Sequence, residues 1–330
     1  FIARPRPGYV SLMAMSSGKF LALSGGVGGA KLVRGLAECL SPSQLQVVVN
    51  TADDFDYWGL RICPDLDSNL YALADLNDEQ RGWGLRDESW VTLEAMRRLD
   101  DGQWFQLGDR DLATHLYRSQ ALAAGQSLTD VTRQLGERLG CPAALLPMTE
   151  QRVATRVFTD MGELAFQEYF VRERCEPRVE KVVFDGLDTA QLNPAIISAL
   201  ADPALRGIII CPSNPFLSVD PILSLPGCRE ALMQVNVPVV AISPIVSGAA
   251  VKGPAAKMMH ELDIPRRAAA VAEYYGDLLD GFIIDSADAQ QCDDIAQTGV
   301  ACRAVPSMMT TLDSKRRLAE ETLSLIEELV

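Results

Sequence analysis

Asp53, Asp54 and Asp56, followed by Asp65 and Asp67, crowd one short stretch of the chain. They come directly after Val47–Val49, a β-branched run that reads as a buried strand. Carboxylates are hard oxygen ligands that suit a divalent cation, and they can also orient a hydroxyl. Just upstream lies Ser24-Gly25-Gly26-Val27-Gly28-Gly29, set between the apolar Leu21–Leu23 and a stretch of helical spacing over Ala30–Leu40. Strand, glycine turn and helix point backbone N–H groups and a helix N-terminus at an anion, usually phosphate. A phosphate cradle beside a carboxylate cluster implies a nucleotide handled with a divalent metal. Neither half is specific alone. The turn lacks the G-K-[ST] ending of a P-loop, Lys31 comes too late to be its lysine, and a ligand-free turn has the same pattern. An acidic loop can equally be solvated surface.

The composition narrows the options. The 330 residues are 48% hydrophobic, enough for one large domain or two closely linked ones. The net charge of -14 argues against nucleic acid and anionic membranes as partners. A phosphorylated ligand would need local cations, for which Lys31, Arg34, Arg61, Lys252 and Lys257 are candidates. Two histidines exclude a histidine-rich zinc site, and eight scattered cysteines without a C-x-x-C pair read as reduced thiols of a cytoplasmic protein. No apolar run is long enough to span a membrane.

The elements that must hold these residues follow from periodicity. Residues 1–18 read as a disordered extension. The pattern predicts helices from Asn69, over Ser89–Arg98, over Leu112–Ala124 and over Leu128–Leu139, the last capped by Ser127 and Asp130. Val153 to Val171 alternates about a Met161-Gly162-Glu163 turn and reads as a hairpin. Short apolar strands then alternate with helices: Val182–Phe184, Gly207–Ile210, Val237–Ile242, Gly281–Ile284 and a start at Val300. This predicts an α/β fold, a doubly wound, mainly parallel Rossmann-like sheet. Residues 19–80 and 181–330 would form the nucleotide-binding core. Residues 81–180 would be a mixed α+β insertion. Ligands of such sheets sit at the carboxyl ends of the strands, where SGG, NTADD, PSNP and SPI all fall.

Nine segments in order resemble the 2-phospho-L-lactate transferase family of coenzyme F-420 biosynthesis. They include SGGVGGAKL at Ser24, NTADDF at Asn50, GLRICPDLDSNLY at Gly59, LGDRDLATHLYRS at Leu107 and SPIVSGAAVKGPAAKMM at Ser243. The resemblance runs from Lys19 to about Asp288. It implies a cytoplasmic, homodimeric, Mg²⁺-dependent phosphotransferase. Such an enzyme passes a phospho-three-carbon acid from its guanosine diphosphate adduct to the ribityl hydroxyl of the deazaflavin Fo and releases GMP. Phospholactate, phosphoenolpyruvate and 3-phosphoglycerate are the candidate acids. Asp54 and Asp67 are then the expected catalytic carboxylates, with Asp54, Asp65 and Asp67 on the metal. Ser24, Gly25, Gly26, Gly28, Gly29, Lys31, Ser213, Asn214 and Lys252 would bind nucleotide. Asp53, Trp83 and Tyr169 would bind the acceptor, with Trp104 and Phe105 as further stacking candidates, while His115 reads as a packing residue. The resemblance also implies that the 81–180 insertion covers the acceptor site. Ala52, Ser68, Asp220 and Ser247 depart from the family pattern. The competing readings are a regulatory nucleotide-binding protein of the gluconeogenesis-factor-like branch and, more remotely, an NAD-dependent dehydrogenase. The latter needs one acidic residue after its second strand, not a cluster.

Overall fold

Strands that are apolar at every position cannot leave a face in water, so they demand helices on both sides. The computed structural model, which describes residues 18–251 and 253–330, shows this arrangement. The strands are β1 (Lys19–Ser24), β2 (Leu45–Val49), β3 (Phe55–Tyr57), β4 (Leu60–Ile62), β5 (Ala144–Pro147), β6 (Ala154–Thr159), β7 (Gly162–Ala165) and β8 (Val179–Asp185). They continue with β9 (Leu205–Ile210), β10 (Val239–Ile242), β11 (Ile245–Val246), β12 (Ala249–Ala250), β13 (Gly281–Asp285) and β14 (Ala301–Val305). Seven form the central sheet in the order β5-β2-β1-β9-β10-β13-β14, and every pairing is parallel. Chain order runs outward in both directions from the β1–β9 pair. That pair is the topological switch point, where doubly wound sheets open a crevice for ligands.

Two helices flank the crevice: α1 (Gly26–Cys39), directly after β1, and α2 (Pro64–Leu73). The Leu312–Leu329 helix packs across α1, and Gly35 makes the approach possible, because a side chain there would run into the Lys315 backbone. The sheet divides the core, with Leu21, Ile208 and Phe282 on one side and Ala22, Val47 and Ile209 on the other.

One unassigned segment takes shape and three local readings change. The segment Phe55–Ile62 is the β3–β4 hairpin, whose Trp58-Gly59 turn has φ of 54° and 72° at its two central residues, the conformation two-residue hairpins favour. The helix expected from Asn69 begins at Pro64, which has no N–H to lose at that position, so Asp65 and Asp67 lie in its first turn and not in a loop. Val182–Phe184 belongs to β8, which pairs antiparallel with β6, and β6 also pairs with β7; together they form a separate three-stranded sheet. Local apolar pattern does not reveal which sheet a strand joins. For the same reason β5, inside the segment read as an insertion, takes an edge of the central sheet. Helices α3 (Val91–Leu99), α4 (Asp109–Ala123) and α5 (Leu128–Leu139) fill that segment, with the Ser127 hydroxyl capping the Asp130 N–H at 3.0 Å as expected. The N-terminal extension, residues 1–17 of it, lies outside the described residues. Among those described, no helix is long and apolar enough to cross a membrane.

Candidate functional site

A cavity of about 840 Å³ opens at the carboxyl ends of β1, β2 and β9. Its floor is the glycine turn. The Gly25 N–H donates to Ser213 Oγ at 3.0 Å, and that hydroxyl donates back to the Gly25 carbonyl at 2.8 Å. A Cβ on Gly28 would sit 2.7 Å from the Pro212 carbonyl, and one on Gly29 would meet the hydroxyls of Ser24 and Ser213. The glycines therefore let the start of α1 press against the end of β9 across the switch point. No side chain caps α1, and Val27, Gly28 and Lys31 face the cavity. The first turn of that helix is a ready anion site. Burial lowers the Lys31 pKa, with Lys315 adding to the effect and Glu79 opposing it.

The carboxylates separate into two pairs. Asp53, Asp65 and Asp67 line the cavity, and Asp54 does not. Asp53 accepts from Thr155 Oγ1 at 2.9 Å, and Asp65 accepts from Asn50 Nδ2 at 3.0 Å. No ion pair reaches either carboxylate among the described residues. Burial, then repulsion by Asp65, pushes the Asp53 pKa well up, and burial lifts Asp65 to about 6. Asp54 and Asp67 are turned toward arginines. Asp54 accepts from Arg61 at 3.1 Å, its other oxygen has no partner, and burial raises its pKa to about 7. Asp67 is gripped on both oxygens by the fully buried Arg118.

The walls come from several elements. Phe55, Tyr57, Trp104 and Phe105 form one aromatic cluster that joins the β3–β4 hairpin to the loop before α4. Trp83 lines another side under the Arg81 guanidinium, 4.9 Å from its ring centre. Asp285, at the end of β13, accepts from Ser307 N–H and Oγ at 2.8 and 2.9 Å and so holds Ser307–Thr310 against the opening.

Of the expected nucleotide residues, Gly25, Gly26, Gly28, Lys31, Ser213 and Asn214 reach the cavity. Ser24 does not, since its hydroxyl is committed to Asn69 at 2.8 Å, and Gly29 faces the β9 end. Asn214 caps the following turn by accepting from Phe216 and Leu217 N–H. Lys252 lies outside the described residues, and Lys257 is bound to the Pro177 carbonyl and Glu261. Tyr169, expected at the acceptor, is fully buried behind the wall. Residues 168–172 form a helical turn where a strand was expected, so Phe166, Phe170 and Arg174, four apart, take the cavity face in its place. Asp220 bonds Tyr274 away from the cavity, whereas Ser247 holds φ of 51°, the conformation for which glycine is the usual choice.

Sequence reasoning missed Asp111 and His115, both on the cavity wall. The signal was present: Asp111, His115 and Arg118 are spaced four and three apart, Asp111 just before and the other two within the helix read over Leu112–Ala124.

The arrangement suits a phosphorylated ligand at the glycine turn with a hard cation beside it. Among the described residues no three His, Cys, Asp or Glu side chains converge as a complete metal cage. Mg²⁺ does not require one, because it is commonly held by one or two carboxylates and the substrate's own phosphates. Two buried, mutually repelling carboxylates without a cationic partner fit that role.

Residues 20–327 match the family described as 2-phospho-L-lactate transferase CofD. A phosphoenolpyruvate transferase of Streptomyces coelicolor is 42% identical over 94% of this chain and 98% of its own. A 2-phospho-L-lactate transferase of Methanosarcina barkeri is 38% identical over 94% and 99%. A crystal structure of a UPF0052 family member from Bacillus halodurans shares the fold, with a TM-score of 0.60 at 15% identity, covering 93% of this chain and 99% of that one.

Proposed function

We propose, for a chain that belongs to the CofD family of 2-phospho-L-lactate transferases, that it transfers a phospho-three-carbon acid from a guanosine diphosphate adduct to the ribityl hydroxyl of Fo. Relatives named for phosphoenolpyruvate and for phospholactate match at similar identity, which supports these two beside 3-phosphoglycerate as the acid transferred. The observation that carries the reading is the Asp53–Asp65 pair, buried, without a cationic partner among the described residues, beside an uncapped helix start at the switch point.

The acceptor oxygen attacks the phosphorus that carries the three-carbon acid, the anhydride bond to GMP breaks, and the hydroxyl proton is lost. No covalent nucleophile is needed; positioning and charge neutralisation suffice. Gly25–Gly28 and Lys31 hold the phosphates. Asp53 and Asp65 would hold Mg²⁺, which when bound supplies charge neutralisation on phosphate oxygens. Asp53, ionised when the cation is bound, would also orient the acceptor hydroxyl, whose proton passes to solvent water. Asp54 and Asp67, expected as the leading catalytic groups, have Arg61 and Arg118 as partners and act in this reading by fixing the hairpin and α2. The aromatic cluster and Trp83 offer flat surfaces to the deazaflavin. A homodimer in the cytoplasm completes the reading.

The test is a transfer assay with Fo, Mg²⁺ and each guanylylated acid, read by product mass and GMP release. A Mg²⁺-dependent phosphodiester of Fo is expected. Nucleotide binding without product from any donor would sink the reading in favour of a regulatory protein.

A further inference from the structure

Arg118 fixes the state of a histidine that the reaction above does not use. Its NH1 donates to His115 Nδ1 at 3.1 Å. Arginine has no acceptor, so Nδ1 must accept and the neutral ring carries its proton on Nε2. That Nε2–H has no well-aligned hydrogen-bond partner, although His115 is only 1% exposed and, against the effect of burial, its contact with Asp111 helps to lower the Asp111 pKa. The Asp111 carboxylate is nearest, with Oδ1 3.4 Å away, and that oxygen already accepts from Tyr71 at 2.5 Å. A buried donor without an acceptor is costly and calls for an occupant. Both His115 and Asp111 face the cavity, one turn apart on α4, which begins just after the Trp104–Phe105 wall.

We propose that the unpartnered His115 Nε2–H and the Asp111 carboxylate form a hydroxyl-recognition subsite for a non-reacting hydroxyl of a polyol acceptor. An N–H beside a carboxylate offers one donor and one acceptor. A hydroxyl matches both at once, accepting from His115 and donating to Asp111. A phosphate or carboxylate oxygen would meet the repulsion of Asp111. The subsite adjoins Asp67, 3.7 Å from His115 Nδ1 and two residues along α2 from Asp65, so its occupant lies next to the reacting centre. His115 is in this sense a specificity residue. The inference rests on the transferase reading and adds the group by which the acceptor chain is held.

The experiment compares Fo with analogues lacking one ribityl hydroxyl each, using wild type, His115→Phe and His115→Gln at saturating donor and Mg²⁺. Wild type should lose about 10–100-fold in kcat/KM with one analogue, the scale of leaving a buried donor unpaired. His115→Phe should lose a similar factor with Fo yet no longer distinguish Fo from that analogue. His115→Gln, which keeps a donor, should restore part of the discrimination, with the donor KM unchanged throughout. A folded His115→Phe that discriminates like wild type would overturn the subsite. If His115→Phe does not fold, Asp111→Asn carries the same comparison. Should wild type form no product at all, the transferase reading has failed, and Fo binding read by fluorescence decides the subsite alone: equal affinity in wild type and His115→Gln or Asp111→Asn overturns it.

Discussion

Asp53 and Asp54 are neighbours in sequence, and so, one residue removed, are Asp65 and Asp67. Their surroundings are opposite. Asp53 and Asp65 face the cavity with Thr155 and Asn50 as neutral donors, and they repel each other. Asp54 and Asp67 turn from that pair to Arg61 and Arg118. One pair has unused negative charge at the place where phosphates would sit. The other has its charge met by arginines, although Asp67 also lines the cavity. Buried charge has to be compensated, and the compensating group decides whether a carboxylate binds a ligand or holds the fold. The prominence of a carboxylate in a motif does not say which.

The sharpest way to break this contrast is Asp65→Asn or Asp53→Asn. Each should lower transfer by roughly two to four orders of magnitude, the scale of acid–base and electrostatic groups. Thermal melts should stay at or above wild type, because a costly buried charge is removed. A similar loss from Asp54→Asn would dissolve the distinction.

Next in size is Arg118→Met, which leaves the buried Asp67 uncompensated. A destabilisation of about 3–5 kcal/mol is expected from denaturant unfolding. A stability change below 1 kcal/mol, roughly the surface-pair scale, would show that Asp67 does not depend on the arginine.

The pH dependence separates fold from ligand. Aspartates in the unfolded chain titrate near 4, by the usual reference value. In the fold Asp65 titrates at about 6 and Asp54 at about 7. Between these limits the folded protein holds protons that the unfolded chain has released, so their contribution to stability falls as pH rises from about 4 to about 7. A divalent cation favours ionised Asp65 and offsets that loss. The melting-temperature gain from Mg²⁺ should therefore be larger at pH 8 than at pH 5, and an equal gain at both would remove Asp53 and Asp65 from the metal site.

The smallest effect is expected from Asp54→Asn, which should change kcat by less than about tenfold, since its unpartnered oxygen is buried off the cavity wall. Steady-state kinetics beside Asp65→Asn makes the comparison directly.

The sequence by itself determined the parallel sheet, because Val47–Val49, Ile208–Ile210 and Val239–Ile242 are apolar at every position and fit only a sheet covered on both faces. It also placed the glycine turn directly after a strand and gathered five carboxylates in one short stretch. Tertiary structure alone decided which sheet Val182–Phe184 joins, since strand pairing is set by distant partners. It alone turned Phe166 and Phe170, not Tyr169, to the cavity, because a helical turn replaced the expected strand. It alone assigned Arg118 to Asp67, a contact across 51 residues that fixes the His115 tautomer and leaves Nε2 free. Local sequence specifies what a residue can do, whereas packing across the fold specifies the neighbour that completes or consumes it.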